Sequence, residues 1–114
     1  MFDFEKLDVY HKAKRFNLKI TSFLNTSKVD KNTFDQLRRA SFSIMLNIAE
    51  GSGRFTKPDK RNFYIIARGS TFECVAIFDY LKDMNVINED EFIQSYNDLE
   101  EISKILYSLI KGLQ

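Results

Sequence analysis

The sequence predicts an all-α fold, an antiparallel up-down-up-down four-helix bundle, and three observations carry that prediction. Apolar residues recur at i, i+3, i+4 and i+7 through most of the 114 residues. One proline and four glycines leave those stretches nearly unbroken. Short polar connections separate them, which makes successive helices antiparallel neighbours. Residues 1–114 read as a single four-helix-bundle domain, because folding at this length removes roughly 65% of the unfolded chain's surface from water, enough for a core.

The first helix is predicted from about Lys6 to Leu24, where Leu7, Tyr10, Ala13, Asn17, Ile20 and Leu24 share a face that Phe16 and Phe23 widen. Its other side carries Lys12, Arg15 and Lys19. Residues 25–32, rich in Asn, Thr, Ser and Lys, lose the period and form a connection. The second helix starts at Asp30 or Thr33; Thr33-Phe-Asp-Gln36 has capping-box spacing. Phe34, Leu37, Ser41, Ile44 and Ile48 make its buried stripe. Gly51-Ser-Gly53 is expected to end it, with glycine in the left-handed conformation that closes a helix.

The third helix restarts at Thr56-Lys-Pro58-Asp59, with proline in the first turn where its missing N–H costs little, and runs from Lys57 to Asp83. Phe63, Ala67, Ser70, Cys74, Ile77 and Leu81 line one face, with Ile66 and Phe78 beside it. The fourth helix has the clearest start. Asn88-Glu-Asp-Glu91 supplies a capping box, and Ile87 and Phe92 stand at hydrophobic-staple positions. Its stripe is Phe92, Tyr96, Leu99, Ile102 or Ser103, Leu106 and Leu113.

Seventeen Lys or Arg against 16 Asp or Glu give a net charge of +1, yet the distribution is uneven. Residues 1–68 hold 14 cations and 7 acids, whereas residues 69–114 hold 3 and 9. This split fits either a basic patch for an anionic partner or solvated helix faces paired with their neighbours. No apolar run approaches the ~20 residues that span a bilayer, and acids stand where a secretory signal would carry Lys or Arg. A soluble, cytoplasmic protein is expected. Cys74, the only cysteine, reads as a small buried apolar side chain in a reducing compartment.

A polar row, Arg39, Ser43, Asn47 and Glu50, runs along the second helix at spacings of four, four and three. If helices two and three are antiparallel about the turn at 51–56, residues whose numbers sum to about 111 lie opposite each other. Arg38 then faces Glu73, Ser41 faces Ser70, Asn47 comes near Tyr64, and Arg68 falls between Arg39 and Glu50 in height. Buried charges must pair, so Arg38, Arg39, Asn47, Glu50, Arg68, Ser70 and Glu73 are read as a structural polar network rather than a catalytic set.

The chemical motifs otherwise fail. Gly-Ser-Gly-Arg54 lacks the spacing and the Lys-Ser/Thr ending of a phosphate loop and follows a helix. His11 is the only histidine, so no metal set forms around it. No catalytic residue, metal or cofactor is assigned, and the chain is read as a non-enzyme.

Asp35-Gln-Leu-Arg-Arg-Ala40, Ser43-Ile-x-x-Asn-Ile-Ala-Glu-Gly51 and Phe63-x-x-x-Ala-Arg-Gly-Ser70-x-x-Glu73 are preceded by Phe4-x-x-Leu7 with Tyr10 and Ala13. Together they resemble the bacterial four-helix-bundle family of 23S rRNA-intervening-sequence proteins over nearly the whole chain. Members resemble the accessory variability determinant protein of diversity-generating retroelements, a basic pentameric bundle that works with a reverse transcriptase and nucleic acid. The resemblance implies a ring-shaped homopentamer and binding of RNA or DNA, by a family whose biochemical role is not established. Sequence-independent binding needs gathered cations. The candidates are Lys12, Arg15 and Lys19 on helix one and Arg54, Lys57, Lys60 and Arg61 around the second turn.

Self-association has separate support. Phe42, Met45 and Ala49 form a further apolar row on helix two, as do Ile65, Phe72 and Ala76 on helix three, beyond the stripe one bundle needs. The competing explanation is a wide core in a monomer. The leading function is therefore a non-catalytic oligomeric accessory protein for nucleic acid. A protein-interaction scaffold is the alternative.

Overall fold

Helix starts follow from capping side chains, and the computed structural model describes residues 1–114. A short 3-10 turn, Asp3–Lys6, leads into α1 (Asp8–Thr26), α2 (Lys31–Ser52), α3 (Lys57–Asp83) and α4 (Glu89–Gly112). All four predicted helices are present with no strand, and α3 keeps its predicted bounds. The 3-10 turn is too short to show a period. Glu5 folds it back: the Glu5 carboxylate accepts the Phe2 N–H at 2.9 Å, and the Glu5 carbonyl lies 2.8 Å from His11 Nε2. A carbonyl only accepts, so His11 Nε2 carries the proton.

α2 is capped by Asp30, whose carboxylate accepts the Thr33 N–H at 3.1 Å, so the Thr33–Gln36 capping box is not used. The Thr33 hydroxyl, and then its amide, hold the Asp30 carboxyl below its ordinary value. The end of α2 also departs from expectation. Gly53 has φ −90° and no glycine adopts positive φ, so left-handed closure is absent. The chain instead leaves the helix with Gly53 N–H on the Glu50 carbonyl and Arg54 N–H on the Gly51 carbonyl, both at 3.2 Å. Gly51 is needed for another reason. It lies buried inside α2, where an added Cβ would stand 2.9 Å from Phe63 Cβ.

The Thr56 hydroxyl accepts the Asp59 N–H at 3.3 Å to start α3. Asn85, with φ 59°, turns the chain toward α4, a conformation asparagine tolerates. The α4 capping box is complete, with the Asn88 side chain accepting the Glu91 N–H at 2.8 Å and the Glu91 carboxylate accepting the Asn88 N–H at 3.0 Å.

Each helix packs on its chain neighbour and α1 closes the bundle against α4, within 44 × 23 × 21 Å. The core of 18 buried apolar residues draws on all four helices. Its stripes are rotated slightly from the predicted ones. In α1, Val9, Ala13, Phe16, Ile20 and Leu24 are buried, while Leu7, Tyr10 and Asn17 are half-buried at the edge. In α3 the stripe is Tyr64, Ala67, Thr71, Cys74, Phe78 and Leu81; Phe63, Ser70 and Ile77 are half-buried, and Ile66 is exposed. Thr71 replaces Ser70 in the stripe because its hydroxyl donates to the Ala67 carbonyl at 2.9 Å, so burial leaves no orphan donor. In α4, Ile102 is the buried alternative to Ser103, and Tyr96 is exposed. No helix is long and apolar enough to cross a membrane.

Candidate nucleic-acid interface

The cations of α1 face the acids of α4. Lys12 pairs with Glu101 and, at 3.8 Å, with Asp8; Lys19 reaches Asp98 at 3.1 Å. The hydrogen bond to Glu101 raises the Lys12 pKa above its ordinary value. Arg15, between them, is exposed and makes no ion pair. The predicted basic face of α1 is thus largely an ion-paired seam with α4.

At the turn, orphan carbonyls at helix ends take up two of the four cations. Lys60 Nζ donates to the Ser52 carbonyl at 2.9 Å, closing the end of α2, and Arg61 donates to the Leu113 carbonyl at 3.2 Å, tying α3 to the end of α4. Arg54 lies over the Phe63 ring at 4.5 Å, with Glu50 at 3.8 Å and Asp59 at 4.0 Å. Lys57 is exposed and unpaired. A groove of about 480 Å³ at this end is lined by Phe2, Phe4 and Phe55 with Asp3, Glu50, Asp59 and Arg54, so carboxylates outnumber cations in it. Phe55 is 100% exposed at its rim.

The polar network is smaller than the sequence suggested. Arg39, not Arg38, pairs with Glu73, at 3.2 Å, and Ser43, not Ser41, meets Ser70, at 2.9 Å. Asn47 Nδ2 donates to the Ser43 hydroxyl and carbonyl, both at 2.9 Å, rather than reaching α3. The reason is rotational: each residue turns a helix by about 100°, so height alone does not decide which side chains meet. Ser41 faces α1 and donates to Asn17 Oδ1 at 2.8 Å. Arg38 lines a groove with Asn17 and Thr21 on the same side. Glu50 pairs only with Arg54.

Arg68 leaves the network altogether. Two residues before Ser70, it points toward α4 rather than α2, with its guanidinium 4.8 Å from the Phe72 ring centroid and 5.4 Å from that of Tyr107. Its Nε is buried with no hydrogen-bond partner, an omission that costs about 1–3 kcal/mol for an ordinary donor. This ring-clamped arginine was hidden in the sequence because Tyr107 lies 39 residues away; only the register of α3 on α4 brings them together.

Two groups bear on chemistry. Burial, and secondarily the charge of Glu73, pushes the Cys74 thiol up to about 12, so it stays protonated and inert at neutral pH. No three His, Cys, Asp or Glu side chains are grouped to hold a metal ion.

Apolar side chains also face away from the core. Ile44 and Ile48 are fully buried, and Phe42 and Leu46, each two residues and thus about 200° around from one of them, are both 47% exposed. The register set by Arg39–Glu73 places Leu46 beside Ile66 on α3, 44% exposed; Ile65, 49% exposed, lies about 100° further around α3, on the side of Arg61 and Arg68.

Fold and site define a small four-helix-bundle protein whose surface chemistry is carried by cations, carboxylates and exposed rings. The chain belongs to the family of 23S rRNA-intervening sequence proteins, whose model matches residues 5–108. It is similar to a protein of unknown function from the S23 ribosomal protein family of Bacteroides thetaiotaomicron VPI-5482, seen in a crystal structure. The two share 27% identity and superpose with a TM-score of 0.84 over 90% of this chain and 98% of that chain. No curated protein matches the sequence.

Proposed function

We propose that this protein is a non-catalytic accessory protein of the cytoplasm that works as a homo-oligomer and binds nucleic acid through its cations. The observation that carries the reading is the apolar row of α2 and α3 that faces away from the core, with Phe42, Leu46 and Ile66 each close to half exposed. Such a contiguous row is costly in water and is ordinarily covered. A second copy is the cover in this reading, and the resemblance to the pentameric accessory protein of diversity-generating retroelements makes a ring of five the expected assembly. Five copies repeat every unpaired cation, which lets a chain of net charge +1 hold a phosphate backbone.

Size-exclusion chromatography with light scattering, run with and without added RNA, tests both halves together. The expected result is a mass of five subunits, rising with RNA at low salt. Replacing Lys57, Lys60 and Arg61 together by Ala is expected to weaken RNA binding and flatten its salt dependence. A monomeric mass would remove the assembly. A protein partner retained after nuclease treatment, with no affinity for RNA or DNA, would replace the reading with a protein-interaction scaffold.

A further inference from the structure

The antiparallel packing of α4 on α3 gathers charge that is scattered along the chain. Residues 57–70 and 102–114 lie at one end of this helix pair and hold Lys57, Lys60, Arg61, Arg68, Lys104 and Lys111 against one acid, Asp59. Residues 71–101, at the other end, hold Lys82 against nine acids. The fourth helix is acidic only up to Glu101.

Two contacts fix the register at the basic end: Arg61 on the Leu113 carbonyl and Arg68 under the Tyr107 ring. In that register Arg61, Lys111, Arg68 and Lys104 succeed one another along the seam over about ten residues of helix, or about 15 Å. The nearby acid is Glu100, 3.7 Å from Lys104. Arg68 sits in the middle, held by two rings, without an ion pair and with its Nε–H unused. Beside it opens a groove of about 320 Å³ lined by Phe72, Tyr96, Ser103 and Lys104, with Glu100, the ion-pair partner of Lys104, also on its wall. The rings along it stay wet: Phe72 is 56% exposed, Tyr107 50% and Tyr96 41%.

We propose that this seam binds a single strand of nucleic acid, with a phosphate on Arg68 and Lys104 and unpaired bases stacked on Phe72, Tyr96 and Tyr107. The assignment rests on the nucleic-acid reading above and moves its principal contact from α1 and the second turn to the α3–α4 seam. A guanidinium positioned by two rings and engaged in no ion pair can present its terminal N–H groups to the oxygens of a phosphate. A row of cations about 15 Å long fits a chain of phosphates better than one carboxylate. Exposed rings interleaved with those cations select a single strand, since only unpaired bases offer their faces.

The test is fluorescence anisotropy of the full chain with labelled oligo(U) and oligo(dT) at several salt concentrations, with a duplex of equal length as competitor. Arg68→Met with Lys104→Ala is expected to weaken single-strand binding and lower the salt slope by about 1.4, near 0.7 per lost cation. Tyr107→Leu is expected to weaken binding at least about fivefold, the low end for one lost stacking platform. Arg68→Lys, which keeps the charge but not the fork, tests the same contact should the Met variant unfold, and is expected to lie between the two. Equal loss with oligo(U) and oligo(dT) assigns the shared backbone and base chemistry, and loss with one alone assigns that nucleic acid. Unchanged affinity in these variants, while Lys57→Ala with Lys60→Ala lowers it, would overturn the seam and leave the broader reading standing. No binding of either oligonucleotide by the unaltered protein at low salt would remove both. A duplex that competes as well as the single strand would overturn the stacking role of the rings, as would Arg68-dependent binding of an acidic polypeptide in place of nucleic acid.

Discussion

Cys74 shows how far one residue's surroundings reach. Burial is the larger cause, and the neighbouring Glu73 charge the smaller, of a thiol pKa pushed up to about 12. In the unfolded chain the same thiol ionises near 8.5. The folded pKa is the higher one, so the contribution to stability is intact below about pH 8.5 and is lost as pH rises from there toward 12, at about 1.4 kcal/mol per pH unit. The Tyr64 phenol, raised by burial, acts with the same sign at higher pH. Urea unfolding at about pH 8 and pH 10 is therefore expected to show a falling midpoint, and Cys74→Ala is expected to lower stability at pH 8 and to flatten that fall, narrowing the difference at pH 10. An equal fall in the variant would take the effect away from Cys74. The thiol is also expected to resist alkylation until denaturant is added.

At the scale of helices, Gly51 governs how closely α2 and α3 pack. An alanine methyl there would meet Phe63 Cβ at 2.9 Å and Tyr64 Cε1 at 3.0 Å. Phe63 Cβ moves only with its backbone, so α3 must shift. Alanine gains up to about 1 kcal/mol in helix propensity, whereas overpacking costs about 1–3, and Gly51→Ala is expected to lower stability by about 1–2 kcal/mol, read as a lower urea midpoint at unchanged slope. A raised midpoint would show that the helices can part without cost. Sequence reasoning found this glycine but gave it the wrong task, since spacing near a helix end suggests left-handed closure and says nothing of a neighbour's approach. The Asn88 capping box and the Lys57–Asp83 span were legible because their signals are local. The pairing of Arg39 with Glu73 was missed by one residue and that of Ser43 with Ser70 by two, because those contacts depend on rotation about each helix axis. The place of Arg68 on α4 depends on a register between distant segments, which no local signal encodes.

At the scale of the whole molecule, Leu46 and Ile66 stand on the α2 side of α3 with Glu73, whereas Arg68 and Phe72 stand on its α4 side, so assembly and nucleic-acid contact can be separated by substitution. Leu46 and Ile66 are 47% and 44% exposed and stand side by side in the register of Arg39 with Glu73. Charging both, as Leu46→Glu with Ile66→Glu, removes little core packing. Helical content and melting temperature are expected to hold nearly steady, while light scattering falls to the mass of one subunit. That subunit keeps Arg61, Arg68, Lys104 and Lys111 intact. Its affinity for a short strand spanning one seam is expected to stay within a few-fold of the unaltered protein's, and its affinity for a long strand to fall by about 100-fold or more, because linked seams raise the effective concentration of each second contact. Equal losses on short and long strands would mean that the apolar row belongs to the binding surface itself. An unchanged mass would mean that the subunits meet elsewhere. The two substitutions thus separate a ring that multiplies weak contacts from a single bundle that binds through one.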